Sequence, residues 1–333
     1  MIDLFTSTGW LNPQIDFLVF LQNIRIAHSD IINHFFLTIT VFGEIWLPTL
    51  ICAIVYWCFS SKNGIYMFLL FGFNAMISHF LKLIAGIYRP WVLSDRVKPL
   101  EQALYHARSY SFPSGHAGTA SSVLGGLAYI VRRYKILAIL LIVLILLIGF
   151  SRLWLGVHTP QDVIVGFLIG LILVFAGNFV IIWAEKEKNN YLYLLGVIDI
   201  IAAIALVYVS YIHHYPIDYV NGEVLVDPYH ALHTSVMFYG YVLGLMNGAF
   251  ICRRFFPFEA DFGTVKTRII RGLIGTIFLL CVINIPVQYI LDSGYSNKIS
   301  VLLTFICGFL LTAGYPFIFL KVEKYFCRKN KTN

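Results

Sequence analysis

The chain has 333 residues, of which 59% are hydrophobic and 12% are charged, and its formal net charge is +7. So little polar surface excludes a soluble globular protein of this length and indicates a protein embedded in a membrane. The positive charge requires no nucleic-acid partner, because most of the 24 Lys and Arg residues lie in connections on one predicted side of the membrane.

The first element is a predicted amphipathic helix ahead of the membrane spans. One face of this helix carries Ile15, Leu18, Val19, Gln22 and Ile26, all apolar except Gln22. This pattern is typical of an interfacial helix that supports a core. A substrate gate is the alternative interpretation.

Nine apolar segments follow, each close to the roughly 20 residues that cross a hydrocarbon core. The predicted spans are residues 34–59, 64–86, 115–131, 136–155, 160–183, 191–213, 228–251, 269–291 and 299–320. They predict an all-α fold, a polytopic membrane helix bundle. Glu44 lies inside the first predicted span, where we expect it to make a structural hydrogen bond.

Lys and Arg are distributed unevenly between the two sides of this bundle. With the N-terminus outside, the basic clusters 132–135, 253–271 and 321–331 all lie on the inner side. The positive-inside rule therefore places the C-terminus in the cytoplasm. The same rule places the polar motifs between spans two to five on the non-cytoplasmic side.

Three short stretches place ionisable side chains in this apolar setting. They contain Lys82 with Arg89-Pro90, then Pro113-Ser114-Gly115-His116, then Ser151-Arg152 with His158 and Asp162. Charge within a membrane is costly, so such a cluster indicates function. Three cations suit a phosphoryl group, while two histidines and a carboxylate supply proton transfer and nucleophilic attack.

The spacing within the motifs adds local geometry. Lys82 and Arg89 are seven residues apart, about two helical turns. Thr159-Pro160 is typical of a helix N-cap and first helical residue, which places His158 just before a helix and Asp162 in its first turn. Backbone N–H groups beside Gly115 could hold phosphate oxygens.

These residues, in order and spacing, closely resemble the type 2 phosphatidic acid phosphatase superfamily. The resemblance implies that His158 is the nucleophile that forms a phosphohistidine, Asp162 its orienting partner and His116 the general acid. It implies that the phosphate is held by Lys82, Arg89, Ser114, Gly115 and Arg152. It also implies no metal and no cofactor, and no spacing typical of metal ligands is present in the sequence.

The resemblance divides the chain into two parts. Residues 1–213 correspond to a membrane-embedded, six-helix phosphatase core with the N-terminal interfacial helix, and residues 214–333 to an extension of about three more transmembrane helices with no assigned role. The expected substrate is a lipid phosphate or diphosphate, of the isoprenoid diphosphate or phosphatidate type, in the plasma membrane of a bacterium. Membrane lipids are the other expected partners, and the oligomeric state is left open.

Three other functions use similar residues. A lipid phosphotransferase would pass the phosphoryl group to an acceptor other than water. A vanadium haloperoxidase shares the anion-binding residues but not the membrane spans, and a non-catalytic lipid-phosphate binder or transporter would not need both histidines and Asp162. The basic loop residues Arg96, Lys98 and Arg108 either meet a second anionic group or are simply solvated.

Overall fold

The computed structural model describes residues 8–27, 30–104, 107, 109–187, 189–215, 217, 219–220, 223–224, 226–292 and 296–329. The regular secondary structure within these residues is helical apart from one antiparallel hairpin, β1 (Tyr219–Val220) with β2 (Glu223–Val224), in which Tyr219 pairs with Val224. Arg108 lies outside the described residues.

The helices of the first half contain the motif residues. They are α1 (Thr8–Ala27), α2 (Asp30–Thr40), α3 (Trp46–Ile54), α4 (Ser61–Ala85), α5 (Pro90–Leu93), α6 (Glu101–Leu104), α7 (Gly115–Thr119), α8 (Gly125–Ile130) and α9 (Lys135–Trp154). A 3₁₀ turn, Val41–Gly43, follows α2, and π-helical turns follow α3 (Val55–Phe59) and α7 (Ala120–Leu124).

The second half continues the same pattern. Its helices are α10 (Pro160–Ala184), α11 (Asn190–Val207), α12 (Pro228–Phe255), α13 (Val265–Phe278), α14 (Ile285–Asp292), α15 (Asn297–Phe309) and α16 (Tyr315–Lys329). Three further π-helical turns follow α11 (Tyr208–Ile212), α13 (Leu279–Asn284) and α15 (Leu310–Gly314).

Six of these helical stretches are long and apolar enough to cross a membrane, and a seventh is reached if the bent pair Asp30–Gly43 and Trp46–Phe59 is one span. The predicted number of nine is therefore too high for the described residues. Predicted span 115–131 forms a helix of only 16 residues, Gly115–Ile130. Predicted span 269–291 corresponds to α13, a π-helical turn and α14, and this stretch is not among the six.

The chain forms two compact units. The first contains Met1–Pro48, Phe73–Phe175 and Ala205–Ser235, and it includes every candidate site residue. The second contains Thr49–Gly72, Ala176–Ile204 and Val236–Asn333. The predicted division at residue 213 remains a prediction.

Small residues bring helices of the second unit together. Gly240, Gly244 and Gly248 recur every four residues on α12, and a Cβ atom at Gly244 would collide with the backbone of Phe305. On α15, a Cβ atom at Gly308 would collide with the backbone of Tyr241. This is the small-residue packing that lets membrane helices approach closely.

In the first unit, the buried face of α1 includes part of the predicted apolar stripe but differs from it at the C-terminal end. Ile15 and Leu18 are buried as predicted, whereas Ile26 is 72% exposed and the buried face ends instead at Arg25. The Arg25 guanidinium donates to the carbonyls of Trp154 (2.7 Å) and Lys98. The helix therefore anchors both the end of α9 and the loop that follows α5.

Candidate active site

The first cation is placed by the end of α4. Gly86 adopts the left-handed conformation (φ +58°), and its N–H bonds to the carbonyl of Lys82, which ends the helix. The Lys82 ammonium donates to the carbonyls of Tyr110 (2.8 Å) and Ser111 (3.1 Å). Lys82 therefore holds the segment that leads into the second motif.

Arg89 connects the same segment to the third motif. Its Nε donates to the Ser109 carbonyl and its Nη1 to the Val157 carbonyl, both at 2.8 Å. The same Nη1 lies 2.9 Å from Nε2 of His158. The buried guanidinium of the first motif thus joins the segment before the second motif to the third motif.

The turn after α9 reverses the chain and presents His158. Gly156 is left-handed (φ +72°), its N–H bonds to the Leu153 carbonyl (3.0 Å), and the Val157 N–H bonds to the Arg152 carbonyl (3.1 Å). This pair of bonds is a Schellman motif, which satisfies the last carbonyls of a helix. It places His158 two residues beyond the glycine.

The next helix begins at once with a reciprocal cap. Asp162 N–H bonds to Thr159 Oγ1 (3.4 Å), and the Asp162 carboxylate Oδ2 accepts from the Thr159 N–H (2.9 Å). This is a capping box with aspartate in the place of glutamate. It confirms the N-cap that Thr159-Pro160 predicts and fixes the carboxylate one turn from His158.

His158 Nδ1 lies 3.3 Å from Asp162 Oδ2. Because a carboxylate only accepts hydrogen bonds, the hydrogen of the neutral imidazole belongs on Nδ1 and the lone pair on Nε2. Both side chains are buried, with exposures of 2% and 0%. Burial, together with the cations Arg89, Lys82 and Arg152, holds the pKa of His158 well below its usual value of 6.5.

The second motif packs directly against this pair. The Ser114 N–H bonds to the Asp162 carbonyl (2.9 Å), and its hydroxyl caps α7 by accepting from the Ala117 N–H (3.5 Å). Gly166 allows this approach, since a Cβ atom there would lie 2.6 Å from the Ser114 carbonyl oxygen. A Cβ atom at Gly115 would meet nothing within 4 Å, so the backbone there is open to a ligand.

His116 occupies the second position of α7, the helix that Ser114 caps. The turn after α2 packs on its ring, since a Cβ atom at Gly43 would lie 3.0 Å from His116 Cδ2. His116 also contributes to the lowered pKa of His158, which places the two histidines in one site.

Arg152 differs from the other two cations in its bonding. Its Nη1 donates to Thr40 Oγ1 at 2.6 Å, and the side chain is 1% exposed. Nε and Nη2 have no hydrogen-bond partner within the described part of the chain. These two N–H groups form one edge of the guanidinium, which matches a pair of phosphate oxygens.

Glu44 follows the 3₁₀ turn that packs on His116. Its N–H bonds to the Val41 carbonyl (3.1 Å), and its charge acts on Arg152. The carboxylate predicted inside the first span therefore lies close enough to Arg152 to offset part of the cationic cluster.

The structure thus brings all eight predicted site residues into the first unit. Sequence reasoning missed Ser111 and Thr40, which contact Asp162 and Arg152 directly. Ser111 lies two residues before the second motif, where its polarity alone did not distinguish it from a loop residue. Thr40 lies 112 residues from its partner, so only the tertiary structure connects the two.

Two family models match the chain. Residues 63–189 match the PAP2 superfamily, and residues 236–326 match the transmembrane extension of PAP2 superfamily phosphatases. The chain belongs to the PAP2 superfamily. The first match contains all eight predicted site residues, and the second lies within the predicted C-terminal extension.

Among curated PAP2 relatives, the phosphatidylglycerophosphatase B of Bacillus subtilis (strain 168) is 36% identical over 121 residues, which are 34% of this chain and 55% of that protein. The undecaprenyl-diphosphatase of Sulfolobus acidocaldarius is 29% identical over 126 residues, 38% of this chain and 58% of that protein. The chain therefore spans little more than half the length of these relatives.

A solved structure is also similar. It is the crystal structure of a transmembrane PAP2 type phosphatidylglycerolphosphate phosphatase from Bacillus subtilis, with 24% sequence identity and a TM-score of 0.46. The match covers 56% of this chain and 92% of that one.

Proposed function

We propose that the protein is an integral-membrane lipid phosphatase that works through a phosphohistidine on His158. The observation that carries the proposal is the oriented pair: His158 Nδ1 faces the Asp162 carboxylate, while Nε2 faces the Arg89 guanidinium. The relatives named above act on lipid phosphates or diphosphates, which supports the same substrate class here.

In the first half-reaction, Nε2 of His158 attacks phosphorus and an N–P bond forms. The bond from phosphorus to the leaving oxygen breaks in line, and His116 gives that oxygen its proton. The Nδ1 hydrogen stays on the ring, where the Asp162 carboxylate stabilises the developing positive charge.

In the second half-reaction, a water molecule attacks the phosphohistidine. His116, now neutral, takes the proton of the water, the N–P bond breaks, and inorganic phosphate and His158 are restored. The low pKa of His158 suits this cycle, because the free nucleophile stays neutral at physiological pH.

The cations divide the work of holding the phosphate. The open edge of Arg152 is suited to two phosphate oxygens, and the N–H groups at the start of α7 beside Gly115 to a third. Lys82 and Arg89 add charge while they hold the backbone of residues 109–111. A low-dielectric site makes each of these contacts stronger against the charge of the transition state.

A lipid substrate is favoured by where the site lies along the spans. Lys82 is in the last turn of α4, Arg152 is in the last turn of α9, and Asp162 is in the first turn of α10. A phosphate headgroup can therefore enter at the membrane boundary while its tail remains among the apolar helices. By the positive-inside rule this boundary is the outer one of a bacterial plasma membrane, with the C-terminus in the cytoplasm.

Phosphate release from a panel of lipids tests the proposal. Phosphatidate, phosphatidylglycerophosphate and undecaprenyl diphosphate are presented in detergent with EDTA, to the native protein and to His158→Ala. We expect release that requires His158 and survives the chelator. Release by His158→Ala would overturn the phosphohistidine, loss with EDTA would overturn the metal-free mechanism, and transfer to an added alcohol without release would indicate a phosphotransferase.

A further inference from the structure

Ser111 contacts both members of the histidine–aspartate pair, although the proposed chemistry gives it no role. Its hydroxyl donates to Asp162 Oδ2 at 2.6 Å, and the hydroxyl oxygen, Ser111 Oγ, lies 3.3 Å from His158 Nδ1. The side chain is 0% exposed, so water does not compete for these bonds.

The direct bond between His158 and Asp162 is long. Oδ2 accepts from Ser111 Oγ at 2.6 Å and from the Thr159 N–H at 2.9 Å, but His158 Nδ1 is 3.3 Å away, beyond the usual range for N–H···O. The Nδ1 hydrogen therefore has two acceptors at equal distance, Asp162 Oδ2 and Ser111 Oγ. A hydroxyl can accept from Nδ1–H and donate to the carboxylate at the same time.

We propose that Ser111 is a positioning residue for the nucleophile, whose hydroxyl passes the orienting interaction from Asp162 to His158. The proposal rests on the phosphohistidine function proposed above. It predicts that Ser111 Oγ and Asp162 Oδ2 together accept the Nδ1 hydrogen of His158. The imidazole is thereby held in the Nδ1–H form, with Nε2 directed to phosphorus.

The backbone of Ser111 is held independently of its hydroxyl. Its N–H bonds to the Ile87 carbonyl (2.8 Å), and its own carbonyl accepts from the Lys82 ammonium (3.1 Å). Removal of the hydroxyl therefore leaves the path of the loop, and the contact of Lys82 with it, in place. A loss of activity in Ser111→Ala would then report on the orientation of His158.

Ser122 provides a matched control. It is also 0% exposed, but its hydroxyl bonds only to the Thr119 carbonyl of its own helix (3.2 Å) among the described residues. Ser122→Ala removes a buried hydroxyl of the same kind without touching the site. Any general cost of such a removal appears equally in both variants.

The test is steady-state phosphate release from the best lipid of the panel, with thermal melting of each variant. We expect Ser111→Ala to lower kcat about tenfold while KM and the inhibition constant of inorganic phosphate stay within about twofold, and Ser122→Ala to match the native protein. Ser111→Thr keeps the oxygen and Ser111→Val replaces it by a methyl of similar shape, so threonine should retain more activity than valine.

The outcomes separate this proposal from the proposed function. If the native protein releases phosphate through His158 but Ser111→Ala has native kcat, or if threonine and valine are equally impaired at equal melting temperature, the positioning role is wrong. If both β-branched variants fail to fold, Ser111→Cys against Ser111→Ala gives the same comparison. If the native protein itself releases no phosphate by way of His158, the proposed function fails first.

Discussion

Arg152→Lys is expected to be a severe change although it keeps the charge. The native guanidinium is anchored by one arm, Nη1 to Thr40 Oγ1 at 2.6 Å, and offers its other edge, Nε and Nη2, to the phosphate. A lysine ammonium cannot make the anchor and two parallel bonds at once. One charge-assisted hydrogen bond to the transition state is lost, at about 1.5–3 kcal/mol, together with the anchor, at about 1 kcal/mol.

The sum is roughly 2.5–4 kcal/mol, which corresponds to about 70- to 1000-fold in kcat/KM. The assay is phosphate release at low lipid concentration, with melting temperature as the check on folding. Thr40→Val and Thr40→Ser separate the two contributions: valine removes the anchor alone and should cost about five- to tenfold, while serine keeps it. A value for Arg152→Lys within threefold of the native protein would refute the bidentate role of this edge.

Three further changes test other contacts. Arg25→Gln removes the bonds that hold the carbonyls at the end of α9 and at Lys98, so amide hydrogen exchange of residues 94–100 should accelerate by about tenfold, and unchanged exchange would show that α1 does not anchor the loop. Because the folded protein lowers the pKa of His158, the unfolded chain binds the proton more readily than the folded one. The melting temperature of the native protein should therefore fall relative to that of His158→Asn as the pH drops below about 6.5. Parallel curves of melting temperature against pH for the two proteins would contradict the shift. In the second unit, the buried Arg271 guanidinium donates through Nε to Glu323 Oε1 at 2.9 Å, and the two side chains are 1% and 15% exposed. Arg271→Met leaves this carboxylate unpaired and should destabilise the protein by about 3–5 kcal/mol in thermal or denaturant unfolding, with partial recovery when Glu323→Gln is added. Simple additivity of the two changes would argue against a coupled pair.

Much of the site could be predicted because it depends on local rules. Thr159-Pro160 predicts a helix start, and the capping box between Thr159 and Asp162 follows from residues three apart. The convergence of Lys82, Arg152 and His158 was inferred from the cost of charge among apolar residues, which leaves few other places for such groups.

The contacts that could not be predicted are those set by tertiary packing. The bond of Arg152 to Thr40 joins two helices with no pattern in common, and Ser111 acquires its partners from the fold of a loop that Lys82 and Arg89 hold. The buried face of α1 extends to Arg25 because its guanidinium donates to a backbone carbonyl. A prediction from the spacing of apolar residues does not detect such a contact.

The number of spans was overestimated for a related reason. A count of apolar runs takes each run as a crossing, but the helix at Gly115–Ile130 has 16 residues, and it begins inside the protein at the buried Ser114. The N-terminus of such a helix can lie in the interior of a bundle because its first N–H groups are capped by Ser114 or directed to a ligand. Hydropathy does not indicate whether a helix begins at the surface of the bundle or in its interior.

The turn that carries His158 has a consequence for how the chain tolerates changes of length. Between Arg152 and Asp162 two helix caps follow one another without a spare residue: Gly156 and Val157 complete one, and Thr159 begins the other. An insertion of a single residue would separate either the left-handed glycine from its carbonyls or the capping threonine from its carboxylate. The stretch from Ser94 to Leu104 is held at separate points, to α1 through Gln22, Arg25 and the Asp16–Arg96 ion pair and to Leu155 through the Leu100 N–H, so an insertion between those contacts can bulge outward. Deletion and insertion scanning should therefore find that the third motif loses function when its length changes by one residue, whereas residues 94–104 tolerate such a change.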